Sequence, residues 1–497
     1  MQVFGRHFLA TLVRLTLIGP LLLTGCAVVG PNFQKPEAPV AESWLAADDS
    51  HVNTDTTESK DWWRIFHDPV LAQLIEKAFQ QNLNLQIAGL RIMEARAQLG
   101  FAVGTRYPQS QSVGASYTKN KVSGDSNSFS TWSSSFDAVW EADIWGKFSR
   151  GIEAADANLA ANMLNYDAVL VTLTGDIAAL YTDIRTYQER LNYAQSNVGI
   201  QKESLRLAST RFRLGATSEL DVQQARALLK NTQALIPSLE LGLGRTKYVL
   251  SVLLGMPPSD FEAVLEAGGK IPTVPDKVVV GIPAELIRRR PDVKAAEMAA
   301  AAQSAAIGVK QADLYPHFAL AGSIGISGGT FSDMFESNSE NFNITPFISW
   351  DIFNYGRIKN NVRVQDARFE QSVVAYQNSV LNAAREVEDG LLGFLQSQKQ
   401  VVFLADAVDA SQRAAALALE QYRHGATDYT RVLNTQTSLL AQQDSLTVSR
   451  GHVVTNLVAT YKALGGGWQI REGHDYLNSK MKNGMVERTD WGDMLDE

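Results

Sequence analysis

The sequence predicts a mainly α-helical chain with a β-barrel portion, built from two structural repeats. Three observations predict this fold class. The segment Arg213–Thr217 recurs as Arg423–Thr427 at an offset of 210 residues, and each copy holds the glycine of a sharp helix reversal. Proline is absent from residues 147–213 and 357–423, which allows two very long helices. Four other segments alternate apolar and polar residues with the period of a β-strand.

The 497 residues divide into two repeats with shorter segments before, between and after them. Halves of about 200 residues with the same order of elements are typical of one internally duplicated body. We expect the C-terminal tail to be loosely held. The predicted boundaries are a signal peptide at 1–25, a lipidated N-terminal tether at 26–68, a first repeat at 69–265, a linker at 266–283, a second repeat at 284–468 and a polar tail at 469–497.

The N-terminal leader has the features of an export signal. A basic start precedes the apolar run Leu15–Leu23, which is too short to span a bilayer as a helix. The order Leu-Thr-Gly before Cys26 resembles a bacterial lipoprotein signal, which implies cleavage before Cys26 and acylation of its thiol. Ala27 then implies sorting to the outer membrane. A plain signal peptide that contains a cysteine remains the alternative. Cys26 is the only cysteine, so a disulfide within one chain is impossible.

The charge balance argues against nucleic acid as a partner. The net charge is −8, and it becomes −10 when Arg6 and Arg14 leave with the signal peptide. Phosphate binding requires a basic surface. An acidic balance suits an ordinary solvated surface or a lumen that mildly favours cations.

Helices follow the tether in the first repeat. The tether is polar and proline-bearing, and we expect it to be extended with no core of its own. Asp68 followed by Pro69 is a typical helix start. The helix is predicted to break near residues 81–84 and to continue to about residue 105. In the second repeat, helix is predicted over 284–290, and Pro291 breaks it before it continues to about residue 314.

Four strands follow these helices, two in each repeat. They are predicted at about 109–120, 130–144, 317–327 and 342–353. Such strands can form half of a soluble sandwich or cross a membrane, and the export signal favours the membrane. Four strands cannot close a barrel, and open sheet edges are not tolerated in lipid. The chain must therefore oligomerise if the strands cross a membrane, giving 12 strands in a trimer or 8 in a dimer.

Long helical hairpins complete each repeat. A 67-residue helix reaches ~100 Å, which suits a device that crosses a periplasm. Gly215 and Gly425 are placed to end the outgoing helices in a left-handed residue, and Ser218 and Asp428 to cap the returning ones. Heptad spacing predicts coiled packing at two matched sets of positions. They are Leu170, Thr174, Ile177, Tyr181 and Ile184, and Val380, Ala384, Val387, Leu391 and Phe394.

The sequence contains no recognisable catalytic, metal or cofactor motif. Its seven histidines are scattered without metal-ligand spacing, and its glycine-rich points follow helices rather than strands. The basic run Arg288–Arg290 is more typical of a helix boundary than of an anion site. We therefore expect neither an enzyme nor a bound cofactor or metal.

The whole chain resembles the TolC-like outer-membrane channel family, in particular its OprM-like lipoprotein branch. The order and spacing of short motifs carry the resemblance. They are Leu23–Cys26, Trp62–Trp63 with Asp68–Pro69, Tyr107–Pro108, Asp143–Gly146, Arg289–Val293, Leu314–Pro316, Tyr422–Gly425 and Tyr461–Trp468.

The resemblance implies the exit duct of a tripartite efflux pump. The expected assembly is a homotrimer in the outer membrane, lipid-anchored on its periplasmic side. It would have a 12-stranded barrel and a tunnel of 12 helices. A periplasmic adaptor would dock at the tip, and an inner-membrane pump, commonly of the resistance-nodulation-division class, would supply energy. Two alternatives remain, a type I protein-secretion duct and a periplasmic coiled-coil lipoprotein with a soluble β domain.

The same resemblance assigns the two turns to docking and the helix after the second turn to the gate. OprM-like channels place Leu and Asp on that helix, one turn apart, where this sequence has Thr430 and Asn434. We expect a polar, uncharged ring, with Asp221 and Asp428 supplying charge nearby. The expected docking tip comprises Arg213, Leu214, Gly215, Ala216, Thr217, Ser218, Arg423, His424, Gly425, Ala426 and Thr427.

Overall fold

The computed structural model describes residues 28–53, 60–121, 128–258, 265, 269–275, 277–281 and 289–495. The predicted signal peptide, Cys26 and most of the helix predicted over 284–290 lie outside the described residues.

Within these ranges the chain is mainly α-helical, as predicted, and each repeat has helix, then two long strands, then two long helices. The helices are α1 Pro69–Gln81, α2 Leu83–Gly104, α3 Lys147–Arg213, α4 Glu219–Leu253, α5 Pro291–Ala312, α6 Arg357–Arg423, α7 Tyr429–Ala463 and α8 Ser479–Val486. The strands are β1 Val52–Asn53, β2 Ser110–Lys121, β3 Ser128–Glu141, β4 Val278–Val279, β5 His317–Gly328 and β6 Glu340–Ser349.

The long helices α3 and α6 each run for 67 residues, over the proline-free stretches. Both begin after a glycine with positive φ, Gly146 at 77° and Gly356 at 80°. Asp143 fixes the start of α3, since its carboxylate accepts bonds from the backbone N–H of Phe148 (3.0 Å) and of Ser149 (2.8 Å). At 1.5 Å per residue each helix is ~100 Å long.

Asn82 accounts for the predicted break between α1 and α2. Its backbone is extended, and its side chain is almost fully buried. The Asn82 side-chain oxygen Oδ1 accepts from the backbone N–H of Leu85 (2.8 Å). Its side-chain nitrogen Nδ2 donates to the backbone carbonyl of Leu253 at the end of α4 (2.8 Å). The bend in the first helix is thus tied to the returning arm of the first hairpin.

The predicted heptad positions lie in the core. Nine of the ten are buried, and Ala384 is half-buried against the same cluster. Helix α3 packs against α4 and α7, and α6 packs against α7. The four long arms therefore stand in the order α4, α3, α7, α6, which leaves α4 and α6 at the two sides of the chain.

Strands β2, β3, β5 and β6 form one antiparallel sheet in that order. Each starts and ends within four residues of its predicted bounds. The pairing of β3 with β5 joins the hairpin of the first repeat to that of the second. In this register Val113, Phe136, Ile324 and Phe342 lie side by side across all four strands.

The N-terminal segment is extended, but it is fixed to the body rather than loosely tethered. Arg150, buried in the first turn of α3, donates to the carbonyls of Val29 (3.2 Å) and Gly30 (3.2 Å) and to the Asn32 side chain (2.7 Å). Gly30 lies against Gly308 of α5, where a Cβ on Gly30 would come within 2.4 Å of the Gly308 backbone. The segment is therefore packed on the body of the chain rather than free in solution.

Two further contacts fix the N-terminal segment to the body of the chain. Trp44 is buried in the main core and donates to the carbonyl of Gly281 (3.0 Å). Strand β1 pairs in parallel with β4, inside the segment predicted as a linker.

The C-terminal tail is also packed, contrary to expectation. Arg471 forms an ion pair with the buried Asp167 of α3. Three isolated apolar residues of the tail are buried, which requires the tail to lie against the helices. They are Leu477, Met485 and Leu495.

We predict that Arg150→Ala releases the N-terminal segment. The change removes the donor for three oxygens. The free energy that holds the N-terminal segment on the body should fall by about 1–3 kcal/mol. Limited proteolysis of the purified oligomer should then cleave near residues 28–32 faster than in the original protein. Arg91→Ala, which removes an exposed arginine on α2, is the matched control, and equal cleavage in both variants would contradict the prediction.

Candidate channel wall and gate

The sheet has one apolar face and one polar face, both largely exposed on the single chain. Val113, Phe342 and Ile324 are 79%, 80% and 64% exposed. The register places serine, threonine and asparagine side chains together on the opposite face, as at Ser116 and Ser133, whose hydroxyls lie 2.8 Å apart. A wall with lipid on one side and water on the other requires this division.

Aromatic side chains border the apolar face near the helices. The indole N–H of Trp140 donates to the carbonyl of Arg106 (3.2 Å), and that of Trp350 donates to the carbonyl of Leu314 (3.1 Å). These two bonds are the same contact in the two repeats. Tryptophan with an apolar body and a satisfied N–H is typical of a membrane–water interface.

A second aromatic group borders the far end of the sheet. Trp132 lies against Tyr117 with ring centroids 4.6 Å apart, and against Phe331 at 5.4 Å. Phe331 in turn contacts Phe335 in the turn between β5 and β6. Aromatic groups at both ends of an apolar band mark the two interfaces of a transmembrane sheet.

The two hairpin turns at the opposite end of the molecule have the same backbone geometry. In the first, Ala216 donates to the carbonyl of Arg211 (2.8 Å), and Gly215 has φ +71°. In the second, Ala426 donates to the carbonyl of Gln421 (2.8 Å), and Gly425 has φ +78°. This is the Schellman ending, which needs a left-handed residue after the last turn and therefore favours glycine.

Only one of the two predicted helix caps is observed. Asp428 accepts from the backbone N–H of Arg431 (3.3 Å). Ser218 occupies the N-cap position, but its side chain accepts no capping bond. The prediction of a Ser218 cap is therefore wrong, and α4 relies on Glu219 and Asp221 in its first turn.

A set of polar contacts joins the first turn to the second; we call it the tip latch, formed by Arg211, Tyr422, Asp221 and Thr217. The Arg211 guanidinium donates to the carbonyls of Tyr422 and Arg423 and lies 4.7 Å from the Tyr422 ring centroid. The Tyr422 hydroxyl donates to Asp221 (3.0 Å), and the Thr217 hydroxyl donates to the same oxygen. Burial raises the pKa of Tyr422, so its phenol remains a donor at neutral pH.

An apolar cluster supports the tip latch from within. Tyr422 packs edge-on against Tyr429, with ring centroids 5.3 Å apart. Around them lie small and aliphatic residues from all four long arms. The buried members besides the tyrosines are Ala208, Val222, Ala225, Ala418 and Val432.

The structure separates the predicted gate residues into two groups. Thr430 and Asn434 are both exposed on one face of α7, one helical turn apart. Asp428 is exposed at the start of α7, whereas Asp221 is half-buried inside the tip latch. Asp221 therefore bonds within its own chain.

Sequence reasoning missed Arg211 and Tyr429 and assigned no contact to Tyr422. The contacts of Tyr422 with Arg211 and Asp221 join residues 211 and 201 positions apart in the sequence. The 210-residue offset between the repeats could have predicted these contacts, because it places both turns at the same end of the helical hairpins.

The sequence matches a known family model and resembles characterised proteins. A model described as "Outer membrane efflux protein" matches residues 74–256 and 282–466, one match in each repeat. Nodulation protein T of Rhizobium leguminosarum bv. trifolii is 32% identical over 429 residues, which cover 86% of this chain and 91% of that protein. Cation efflux system protein CusC of Escherichia coli O6:H1 is 30% identical over 454 residues, which cover 90% of this chain and 97% of that protein.

The fold is similar to that of a solved channel. The structure of the outer-membrane channel OprN superposes with a TM-score of 0.85 at 31% identity, covering 89% of this chain and 99% of that one.

We predict that Arg211→Lys loosens both turns. A lysine cannot donate to several carbonyls while lying over the Tyr422 ring. The free energy that holds the two turns together should therefore fall by about 1–2 kcal/mol. Amide hydrogen exchange at Ala216 and Ala426 should accelerate by about tenfold. The control is Arg226→Lys, an exposed arginine on α4, and equal exchange in the two variants would refute the role of Arg211.

Proposed function

Because the chain belongs to the outer membrane efflux protein family, we propose that three copies join into one duct of 12 strands and 12 long helices. The chain is an outer-membrane efflux channel and not an enzyme. The assembled duct is passive: the sheet supplies the pore through the outer membrane, and the helices supply the reach across the periplasm.

The open edges of the sheet support the oligomer. Among the described residues, β2 and β6 each pair on one side only. In lipid their free N–H and C=O groups would each cost several kcal/mol. Pairing β6 of one copy with β2 of the next satisfies both edges, and three copies give 12 strands.

The outer arms of the helical hairpins support the same arrangement. Helix α4 exposes an apolar stripe that includes Leu241, Tyr248 and Val252. Helix α6, on the other side of the chain, exposes Leu381 and Leu392. Ring closure brings α4 of one copy against α6 of the next and buries both stripes.

The gate lies at the periplasmic tip. While the tip latch holds, the two hairpins of each chain stay together and the duct is narrow there. Docking of partners favours the arrangement in which the hairpins separate. Thr430 and Asn434 form a neutral polar ring at the constriction, with Asp428 beside it.

The two turns form the docking edge for a periplasmic adaptor, which connects the duct to an inner-membrane pump of the resistance-nodulation-division class. The first turn presents exposed apolar residues, with Leu214 and Leu220 at 78% and 64% exposure. The equivalent positions of the second turn are His424 and Thr430. An adaptor hairpin therefore meets alternating apolar and polar sites around the trimer.

Acylated Cys26 anchors each chain to the inner leaflet of the outer membrane. Val28 lies against Gly146, where α3 begins below the sheet. Val28, two positions after Cys26 in the sequence, is therefore fixed at the end of α3 that faces the sheet. Drugs or other small molecules pass through the duct, and the pump selects them.

We predict that Thr430→Leu with Asn434→Asp changes conduction. An apolar ring followed by three carboxylates should lower single-channel conductance and raise cation preference. Thr430→Ser with Asn434→Gln keeps the ring neutral and polar and should behave like the original channel. If the first pair leaves conductance and selectivity unchanged, these residues do not form the constriction.

We predict that drug export by the full pump depends on Leu214. Cells that lack their own channel should regain drug resistance when they express this chain with its adaptor and pump. Leu214→Asp should lower that resistance at least fourfold without reducing the amount of oligomer, because a charge replaces the apolar docking contact. Leu45→Asp, at a leucine that is 92% exposed far from the tip, should retain full resistance. No rescue by the original chain would overturn the proposed function.

A further inference from the structure

One buried hydroxyl at the tip has no hydrogen-bond partner. Tyr429 begins α7, and its side chain has 0% exposure. Its Oη makes no hydrogen bond with any of the described residues. A hydroxyl held away from water without a partner costs free energy relative to a hydrated one. The cost belongs to this arrangement of the helices, because the same hydroxyl exposed to water would be satisfied.

Asp221 belongs to the same set of contacts as this hydroxyl, because it accepts from Tyr422, whose ring packs against Tyr429. Burial, then Tyr422 and Asp221, raise the pKa of Tyr429, so its phenol is a protonated donor at neutral pH. Asp221 already accepts from Tyr422 and Thr217. Of the two phenols in contact, only that of Tyr422 donates to this carboxylate.

We propose that Tyr429 destabilises the latched tip and thereby sets how readily the channel opens; this inference rests on the proposed gate. When the hairpins separate, the Tyr429 hydroxyl gains contact with water. Its burial cost falls on the latched side of the equilibrium only. Tyr429 is a positioning residue for the gate, since its buried side chain acts through the residues packed around it.

The two tyrosines of the tip therefore have opposite effects when a hydroxyl is removed. Tyr422→Phe removes a donor to Asp221 and weakens the tip latch. Tyr429→Phe keeps the ring that packs against Tyr422 and removes the unsatisfied group, so it strengthens the tip latch. Each change is expected to shift the open-to-latched ratio by roughly fivefold per protomer, in opposite directions.

The test uses the full-length oligomer in planar lipid bilayers. Open probability is recorded for the original protein, Tyr422→Phe, Tyr429→Phe and Tyr355→Phe, the last removing a fully exposed hydroxyl just before α6. Hydrogen exchange at Ala216 and Ala426 is measured on the same preparations, and heat stability of the oligomer verifies folding. The Tyr429→Phe channel should open less often and its amides should exchange more slowly. Tyr422→Phe should have the reverse effects, and Tyr355→Phe should match the original protein.

Two outcomes distinguish failure of the Tyr429 inference from failure of the proposed channel function. If Tyr422→Phe shifts both measurements while Tyr429→Phe leaves them unchanged or raises them, the Tyr429 hydroxyl is no cost and the inference is overturned. If no oligomer conducts ions but exchange shifts as expected, the proposed channel fails while the role of Tyr429 in the tip stands.

Discussion

The unpaired edges of the four-stranded sheet are the constraint on which the rest of the structure depends. Strands β2 and β6 each leave one side of the backbone without partners among the described residues. In water such edges are tolerable, but in lipid each unsatisfied group is costly. The apolar face that includes Val113 and Phe342 places the sheet in lipid, so the chain must pair its edges with other copies. The number of copies then fixes both the barrel and the ring of helices beneath it.

The two repeats are similar at the sheet, where they form a wall, and different at the tip, where one turn binds the other. At the sheet, the repeats are nearly equivalent, since Trp140 and Trp350 make the same contact with the end of the preceding helix. At the tip, they have diverged. Leu214 corresponds to His424, and Asp221, which accepts from Tyr422, corresponds to Arg431. Equivalence suits a uniform wall, and divergence allows one turn to hold the other.

Local sequence patterns predicted the helices and strands, but they could not predict contacts between residues that are distant in the sequence. Proline-free stretches and left-handed glycines set the bounds of α3 and α6. Strand β6 ended before Trp350, although alternation continues past it, because the pairing with β5 stops at Ser349. The packed tail was missed, since isolated residues such as Leu477 and Met485 show no periodicity. The tip latch was missed for a different reason: its partners come from different repeats, and only the folded hairpins bring them together.

The most direct test of this account is the stoichiometry of the membrane-embedded particle. The full-length protein in lipid nanodiscs can be imaged by cryo-electron microscopy without imposed symmetry. The account predicts three copies around one axis, with 12 strands in a single barrel wall and 12 long helices below it. A particle with two copies and 8 strands, or a single chain whose sheet edges remain unpaired in lipid, would contradict it.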